Sequence, residues 1–201
     1  RDGGETWIDP GAGTEKPDFH GSDPGSTIAG IHGGVVELRD GRLLAFGRGD
    51  NRLGSNENIG QRMPRSISSD LGRSWNYSAS PFPPIGGNQR LVLRRLDEGP
   101  LLFVSFTDDY FGYKRSKKGP KGMVVEDSQG NPQTVYGMFA AVSFDEGKTW
   151  PIRKPITPGG PARMMRDVVL TGGFLLDATH AEPRGYLAAT QTPDGVIHLI
   201  S

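Results

Sequence analysis

An eight-residue pattern, S-x-D-x-G-x-[ST]-W, constrains this chain more than any other feature. It occurs as Ser68-Ser69-Asp70-Leu71-Gly72-Arg73-Ser74-Trp75 and again as Ser143-Phe144-Asp145-Glu146-Gly147-Lys148-Thr149-Trp150. A third copy, Asp2-Gly3-Gly4-Glu5-Thr6-Trp7, lacks only the leading Ser. Such residues close a turn on themselves: the Asp carboxylate accepts a backbone N–H two residues on, the Gly takes a positive φ, and the hydroxyls tie the two arms together. The Trp then leaves on the outgoing strand and buries its ring against the layer beneath. Trp7, Trp75 and Trp150 stand 68 and 75 residues apart, so the turn recurs once per long β-module.

Behind each such turn lies a second repeat. Val35 to Phe46 reads as strand, Asp40-Gly41 turn, strand. Leu91 to Leu96 and Leu101 to Phe106 flank Asp97-Glu98-Gly99-Pro100, and Tyr186 to Gln191 and Val196 to Ile200 flank Pro193-Asp194-Gly195. Asp-Gly between β-branched or aromatic runs is a strong hairpin signal, and the near-continuous apolar runs suit strands covered on both faces. A third strand enters each eight-residue turn (64–69, 136–144) and a fourth leaves it from the Trp. The spacing therefore predicts an all-β chain with no helix longer than about three turns.

Two connections are long. Residues 8–30, rich in Gly, Pro and Asp, read as an outgoing strand and an irregular crossing loop. Residues 107–133 form an insertion carrying Asp108-Asp109-Tyr110-Phe111, a basic run from Lys114 to Lys121, and a hairpin around Ser128-Gln129-Gly130-Asn131. Loops this long in a compact domain are functional or disordered.

Composition removes several function classes. The 30 Gly and 16 Pro fit many short strands and turns. Lys+Arg and Asp+Glu balance at 23 each, which disfavours nucleic acid and other polyanions as partners. No apolar run approaches the roughly 18 residues of a membrane span. The absence of Cys excludes disulfides and thiol chemistry. Gly86-Gly87 and Gly159-Gly160 lack the following Lys-Ser/Thr of a phosphate loop, and His180-Ala181-Glu182 has no second close pair to complete a metal site, so neither a cofactor nor a metal is expected.

The eight-residue pattern resembles the Asp-box, or BNR repeat, of sialidase-like β-propellers, and the resemblance covers nearly the whole chain. It implies a six-bladed propeller, of which this chain would supply about two and three-quarter blades. The expected division is 1–30 as the end of one blade and a crossing loop, 31–85 as a blade, 86–160 as a blade with the long insertion, and 161–201 as the start of the next. A chain opening with Arg inside an Asp-box reads as an internal piece completed by the remaining blades of a parent chain, or by a partner copy. The Asp-box residues themselves (Asp2, Gly4, Trp7, Ser68, Asp70, Gly72, Trp75, Ser143, Asp145, Gly147, Trp150) are expected to be scaffolding. The activity implied is that of a sialidase (neuraminidase) type glycoside hydrolase acting on terminal sugars of glycans. A non-catalytic propeller binding carbohydrate or protein is the alternative. An extracytoplasmic location, secreted or periplasmic, follows from the resemblance alone.

In such a fold the Asp-boxes and Asp-Gly turns share one face, and ligands bind on the other, where innermost strands begin. His32, Gln89 and Arg90, with Glu182 and Arg184, belong to those strand starts. The loops between second and third strands add Arg48, Asp50 and Arg62, then Asp108, Asp109 and Tyr110. Guanidinium groups capture carboxylates bidentately, as sialidases hold sialic acid, so His32, Arg48, Arg62, Gln89, Arg90, Tyr110, Glu182 and Arg184 are the substrate-binding candidates. Asp50, Asp108 and Asp109 are the candidate catalytic acids. Arg48, Asp50 and Arg52 read equally as a surface ion-pair cluster, His32 as a strand-end His, and the basic run as a solvated loop. Arg62 sits in Gln61-Arg62-Met63-Pro64, close to the family's Phe/Tyr-Arg-Ile-Pro motif. That motif opens an innermost strand whereas Arg62 runs into an Asp-box, so Arg90 is the better match to a carboxylate-binding Arg. The family's Tyr nucleophile and its activating Glu find no counterpart here and would lie in later blades.

Overall fold

The computed structural model describes residues 2–49, 57–110, 114, 119–166 and 173–201. Strands are the regular elements, apart from helical backbone at Tyr110 and Lys114, so the chain is all-β. No helix among the described residues is long and apolar enough to cross a membrane.

Strands β1 (Ile31–Glu37), β2 (Leu43–Arg48), β3 (Pro64–Ser68) and β4 (Asn76–Ala79) pair antiparallel in that order. The next strands, β5 (Val92–Arg95) and β6 (Leu101–Phe106), pair with each other, and β6 pairs onward with β9 (Met138–Ser143) and β9 with β10 (Ile152–Pro155). Between β6 and β9 the insertion folds into its own hairpin, β7 (Met123–Glu126) with β8 (Pro132–Val135). Two further hairpins follow, β11 (Arg163–Met165) with β12 (Phe174–Leu176) and β13 (Ala188–Gln191) with β14 (Ile197–Ile200). The β11–β12 pair falls where the sequence offers no alternating pattern long enough to foresee it.

The hairpin turns repeat one solution. Leu38, Leu96, Asp127 and Thr192 each donate their backbone N–H to the carbonyl four residues on, and each accepts from a Gly of positive φ three residues on. This is a type I turn followed by a left-handed Gly, the usual longer hairpin loop. The S-x-D-x-G-x-[ST]-W turns, called boxes below, use another solution. Leu71-Gly72 and Glu146-Gly147 both place two successive residues at positive φ, as Gly3-Gly4 does, and that pair twists a turn to match the strands it joins.

Side-chain bonds hold the non-Gly members of those pairs in place. Asp70 Oδ1 accepts the Ser74 N–H (2.8 Å) and the Ser68 hydroxyl (2.8 Å), while Oδ2 accepts the Ser74 hydroxyl (2.6 Å). Asp145 does the same with Thr149 and Ser143 at 2.8, 2.9 and 2.6 Å. The motif alone predicts that the Asp accepts the N–H two residues on. Only the box without a Ser obeys it, with Gly4 N–H donating to Asp2 Oδ1 (3.1 Å). Where a Ser leads, its oxygen takes that N–H instead, from Gly72 and Gly147 at 2.8 Å, while in all three boxes the carboxylate also accepts the hydroxyl four residues on.

The two four-stranded sheets pack against each other through an aromatic cluster. Phe46 of β2 meets Phe103 of β6 edge-on at 5.0 Å, and Phe82, from the crossing between the sheets, stacks on Phe103 at 4.3 Å. Trp150 closes the cluster, 5.9 Å from Phe46 and 5.3 Å from Phe82. At Gly147 a side chain would sit 2.7 Å from Leu44, so the second box presses directly on the first sheet. Strands β1 and β5 lie alongside: a side chain at Gly34 would come within about 3 Å of Leu93 and Leu91.

Residues 8–30 depart from expectation, since they contain no strand. They run beside β4, held by a single pairing of Gly25 with Trp75 and by the Tyr77 hydroxyl donating to the Thr27 carbonyl (2.6 Å). Few of their side chains are apolar, and Phe19, edge-on to Tyr77 at 5.0 Å, supplies the main packing contact.

At the end of the strands where the boxes lie, Glu146 joins the sheets. Its carboxylate accepts the Arg39 N–H (2.8 Å) and both Arg95 Nη atoms (3.0 and 2.6 Å), while Arg95 also donates to the carbonyls of Glu37 and Gly99.

Trp75 and Trp150 are 6% and 4% exposed, whereas Trp7 is 90% exposed although its box is closed. Trp150→Ala is therefore expected to cost about 3–5 kcal/mol in chemical denaturation, as large aromatic truncations do. Trp7→Ala is expected to stay within about 0.5 kcal/mol. Equal costs for the two would remove the distinction drawn here between a closed box and an anchored one.

Acid stability follows from the same contacts. The Arg95 hydrogen bonds hold Glu146 below its ordinary value, and the Ser74 and Thr149 hydroxyls bring Asp70 and Asp145 down from 3.8 to about 2. Groups depressed on folding contribute stability above their unfolded values and lose it as pH falls through the folded ones. Denaturant midpoints are expected to be level near neutrality and to fall as pH drops from about 4 towards about 2. Glu146→Gln should lower the neutral plateau and shallow that fall.

Candidate functional site

The register of the sheets brings the N-terminal ends of β1 and β5 to the end opposite the boxes, because Ile31 pairs with Arg48 and Val92 with Val104 while Glu37 and Arg95 lie at the other end. There the chain assembles a polar cluster from three separate segments.

Gln89 is its centre and is fully buried. Its Oε1 accepts the N–H groups of Gly86 (2.8 Å) and Tyr110 (3.3 Å), and its Nε2 donates to the carbonyls of Asp108 (2.8 Å) and Pro183 (2.9 Å). All four positions of the amide are thereby used. The expectation that Gln89 touches substrate gives way to a different role: it clamps the crossing before β5, the insertion and the segment before β13 to one another. A polar residue beside a strand start looks the same in sequence whether it faces a ligand or three loops.

Around this clamp stand several of the predicted residues. Arg48, buried at the end of β2, donates from Nη1 to the Gly86 carbonyl (3.1 Å). Asp109 covers the same residue, since a side chain at Gly86 would meet its carboxylate at 1.9 Å. The guanidinium of Arg184 lies 4.7 Å over the Tyr110 ring, and Lys114 Nζ lies 5.5 Å from that ring's centre. Arg90 stacks on Tyr186 at 4.2 Å and donates to the Gln89 carbonyl (2.9 Å), while its N–H donates to the Gly185 carbonyl (3.1 Å). Glu182 accepts the Ser201 hydroxyl, and its carbonyl accepts the Met138 N–H (2.8 Å).

Asp108 latches the insertion. Its Oδ1 accepts the Lys121 N–H and its Oδ2 the Gly122 N–H, both at 2.9 Å, and the Thr107 hydroxyl adds a third bond at 3.1 Å. Burial nevertheless pushes its carboxyl above the ordinary value, against the pull of those donors.

Two further predicted residues are exposed. His32 occupies the bulge in β1 at a φ of 52° and is exposed. Arg62 is exposed on a tight turn bridged by Ile59, and its charge acts on Arg153 of the outer strand β10. Asp50 lies outside the described residues. Among the described residues no group of three or more His, Cys, Asp or Glu could hold a metal.

Next to the cluster opens a cleft of about 240 Å³, lined by Asp108, Tyr110, Lys114, Tyr136, Phe174 and His180 among others. Tyr136 and His180 are residues the sequence argument left out of the site. His180 stacks on Tyr136 with ring centres 4.8 Å apart, and its Nδ1 lies 3.0 Å from Asp177. The three-residue spacing of Asp177 and His180 was the available signal, but without the stack on Tyr136, 44 positions earlier, it is one Asp-His pair like any other.

Gln89→Leu would strand the N–H groups of Gly86 and Tyr110 and two carbonyls. It is expected to cost about 3 kcal/mol or more, since each buried unpaired group costs about 1–3 kcal/mol. Limited proteolysis should then cut within 107–122 faster than in the parent chain. Unchanged stability and cleavage would show that Gln89 is not the clamp.

A scan against protein-family models finds no match, and a search of curated proteins finds none either. Among solved structures the chain is similar to the crystal structure of a protein of unknown function from Dyadobacter fermentans DSM 18053, at 16% identity and a TM-score of 0.43. The similarity covers 86% of this chain and 46% of that one, so the chain spans less than half of that protein's length.

Proposed function

We propose that the chain is part of a sialidase-like β-propeller that engages terminal sugars of glycans at the end of the sheets opposite the Asp-boxes. The observation that carries this reading is the recurrence of one unit: two successive four-stranded antiparallel sheets, each with a self-bonded Asp-box between its third and fourth strands, packed with first strands β1 and β5 alongside. Successive four-stranded sheets packed side by side support the propeller reading, in which each sheet is one blade. The glycan reading draws on Arg90 over Tyr186, Arg184 over Tyr110, and the adjoining cleft. Guanidinium groups with aromatic rings offer both a carboxylate partner and an apolar face for a sugar ring.

Hydrolysis of a terminal glycoside is the first form of this proposal. Binding without hydrolysis is the second, and the bonds of Asp108 support it: both oxygens are engaged in holding the insertion, although burial raises the proton affinity of the carboxyl.

Arg90→Ala is expected to reduce glycan binding or turnover by tenfold or more, corresponding to a lost charged-group hydrogen bond of about 1.5–3 kcal/mol, with little change in unfolding midpoint. Hydrolysis of a sialoside and binding to a glycan panel separate the two forms. A wild-type chain, within its complete parent protein, that neither cleaves nor binds any glycan would overturn both.

A further inference from the structure

The turn Asp177-Ala178-Thr179-His180 brings His180 to the cleft wall, and neither form of the proposed function uses it. Asp177 Oδ1 accepts the N–H groups of Thr179 (2.7 Å) and His180 (2.8 Å) and the Thr179 hydroxyl (3.0 Å). His180 Nδ1 lies 3.0 and 3.2 Å from the two Asp177 oxygens. Asp177 thus accepts three donors besides the imidazole, led by the Thr179 N–H, and these hold its carboxyl below the usual range, so it has no proton to give. Nδ1 must therefore be the donor. Thr179 agrees: its one hydroxyl proton goes to Asp177, so at 3.1 Å from Nδ1 its oxygen acts as an acceptor.

A neutral imidazole protonated at Nδ1 carries its lone pair on Nε2. The ring edge bearing that atom points away from Asp177, and His180 lines the cleft. Its plane is fixed by the stack on Tyr136, with 14° between the rings. The main chain is fixed as well, since Tyr136 donates to the Thr179 carbonyl and accepts from the Ala181 N–H, both at 2.8 Å. Thr107, Tyr110, Lys114 and Tyr136 are the further residues with donor groups lining the same cleft, and Asp108 is the carboxylate in its lining.

We propose that His180 Nε2 is a preset hydrogen-bond acceptor for a hydroxyl of a ring-shaped, hydroxyl-bearing ligand in this cleft, with Asp177 as the positioning residue that fixes the tautomer. The ligand class, a sugar, rests on the proposed function; the tautomer and the dyad do not. An Asp that holds a His in one tautomer is familiar from hydrolase triads, where the Asn replacement gives the wrong tautomer.

The test uses the full chain within its parent protein and the same glycan panel. Nitrogen-15 NMR, recorded above the pH at which the imidazole titrates, is expected to show Nε2 unprotonated in the wild type. It should show Nε2 protonated in Asp177→Asn, where the amide oxygen keeps the turn and the amide N–H faces Nδ1. Both Asp177→Asn and His180→Ala are expected to lose about tenfold or more in affinity for the glycan that the wild type binds, one lost hydrogen bond of about 1.4 kcal/mol. If His180→Ala fails to fold, the wild-type tautomer and the Asp177→Asn pair of readouts still decide. An Nε2–H tautomer in the wild type overturns the proposal. So does a wild type that binds a glycan which both variants bind equally well, and that result leaves the proposed function standing. A wild type that binds no glycan overturns the proposed function, and the sugar class with it.

Discussion

Everything in the described structure hangs on the aromatic contact between the two four-stranded sheets. Phe46, Phe82, Phe103 and Phe139 have no solvent exposure, and Trp150 has almost none. Rings at 4.3 to 6.0 Å in stacked and edge-on arrangements add specific geometry to burial, so the sheets lock in one relative position rather than slide. That position puts β1 beside β5, which in turn decides which loops meet at each end.

At the box end the contact is polar. Glu146, the variable residue before the box Gly, stands at a φ of 62° and reaches back to Arg39 and Arg95. A left-handed conformation costs a non-Gly residue on the order of 1 kcal/mol, and the box bonds on either side hold it there. The strain is local and the return is an inter-sheet clamp. Because an ion pair with this much exposure contributes modestly alone, the clamp works as a supplement to the aromatic packing rather than a replacement.

The opposite end is organised by one neutral side chain. Gln89 satisfies four backbone groups from three segments, and without it those groups would be buried and unpaired. Its bonds place Asp108 and Tyr110 next to Pro183, and so create the wall shared by the polar cluster and the cleft. Ligand-facing residues in this region are thus held by a second layer that does not itself face a ligand, an arrangement that favours rigid presentation.

The local chemistry was legible in the sequence because it is local. Each box closes with bonds spanning at most four residues, and each hairpin turn with bonds spanning three or four, so spacing and residue type suffice to specify them. What a box anchors is another matter. Trp7, Trp75 and Trp150 occupy the same position in the same motif, yet two are buried and one is bare, because burial depends on which layer lies beneath and no motif encodes that. The same limit governed the site. From the order of strands, Arg90 and Arg184 could be placed near strand starts, and Asp108 and Tyr110 in the loop between second and third strands. Whether Gln89 faced outward or inward and whether His180 met Tyr136 were decided by contacts across 19 to 94 positions of chain, where pairing and packing act and sequence spacing carries no information.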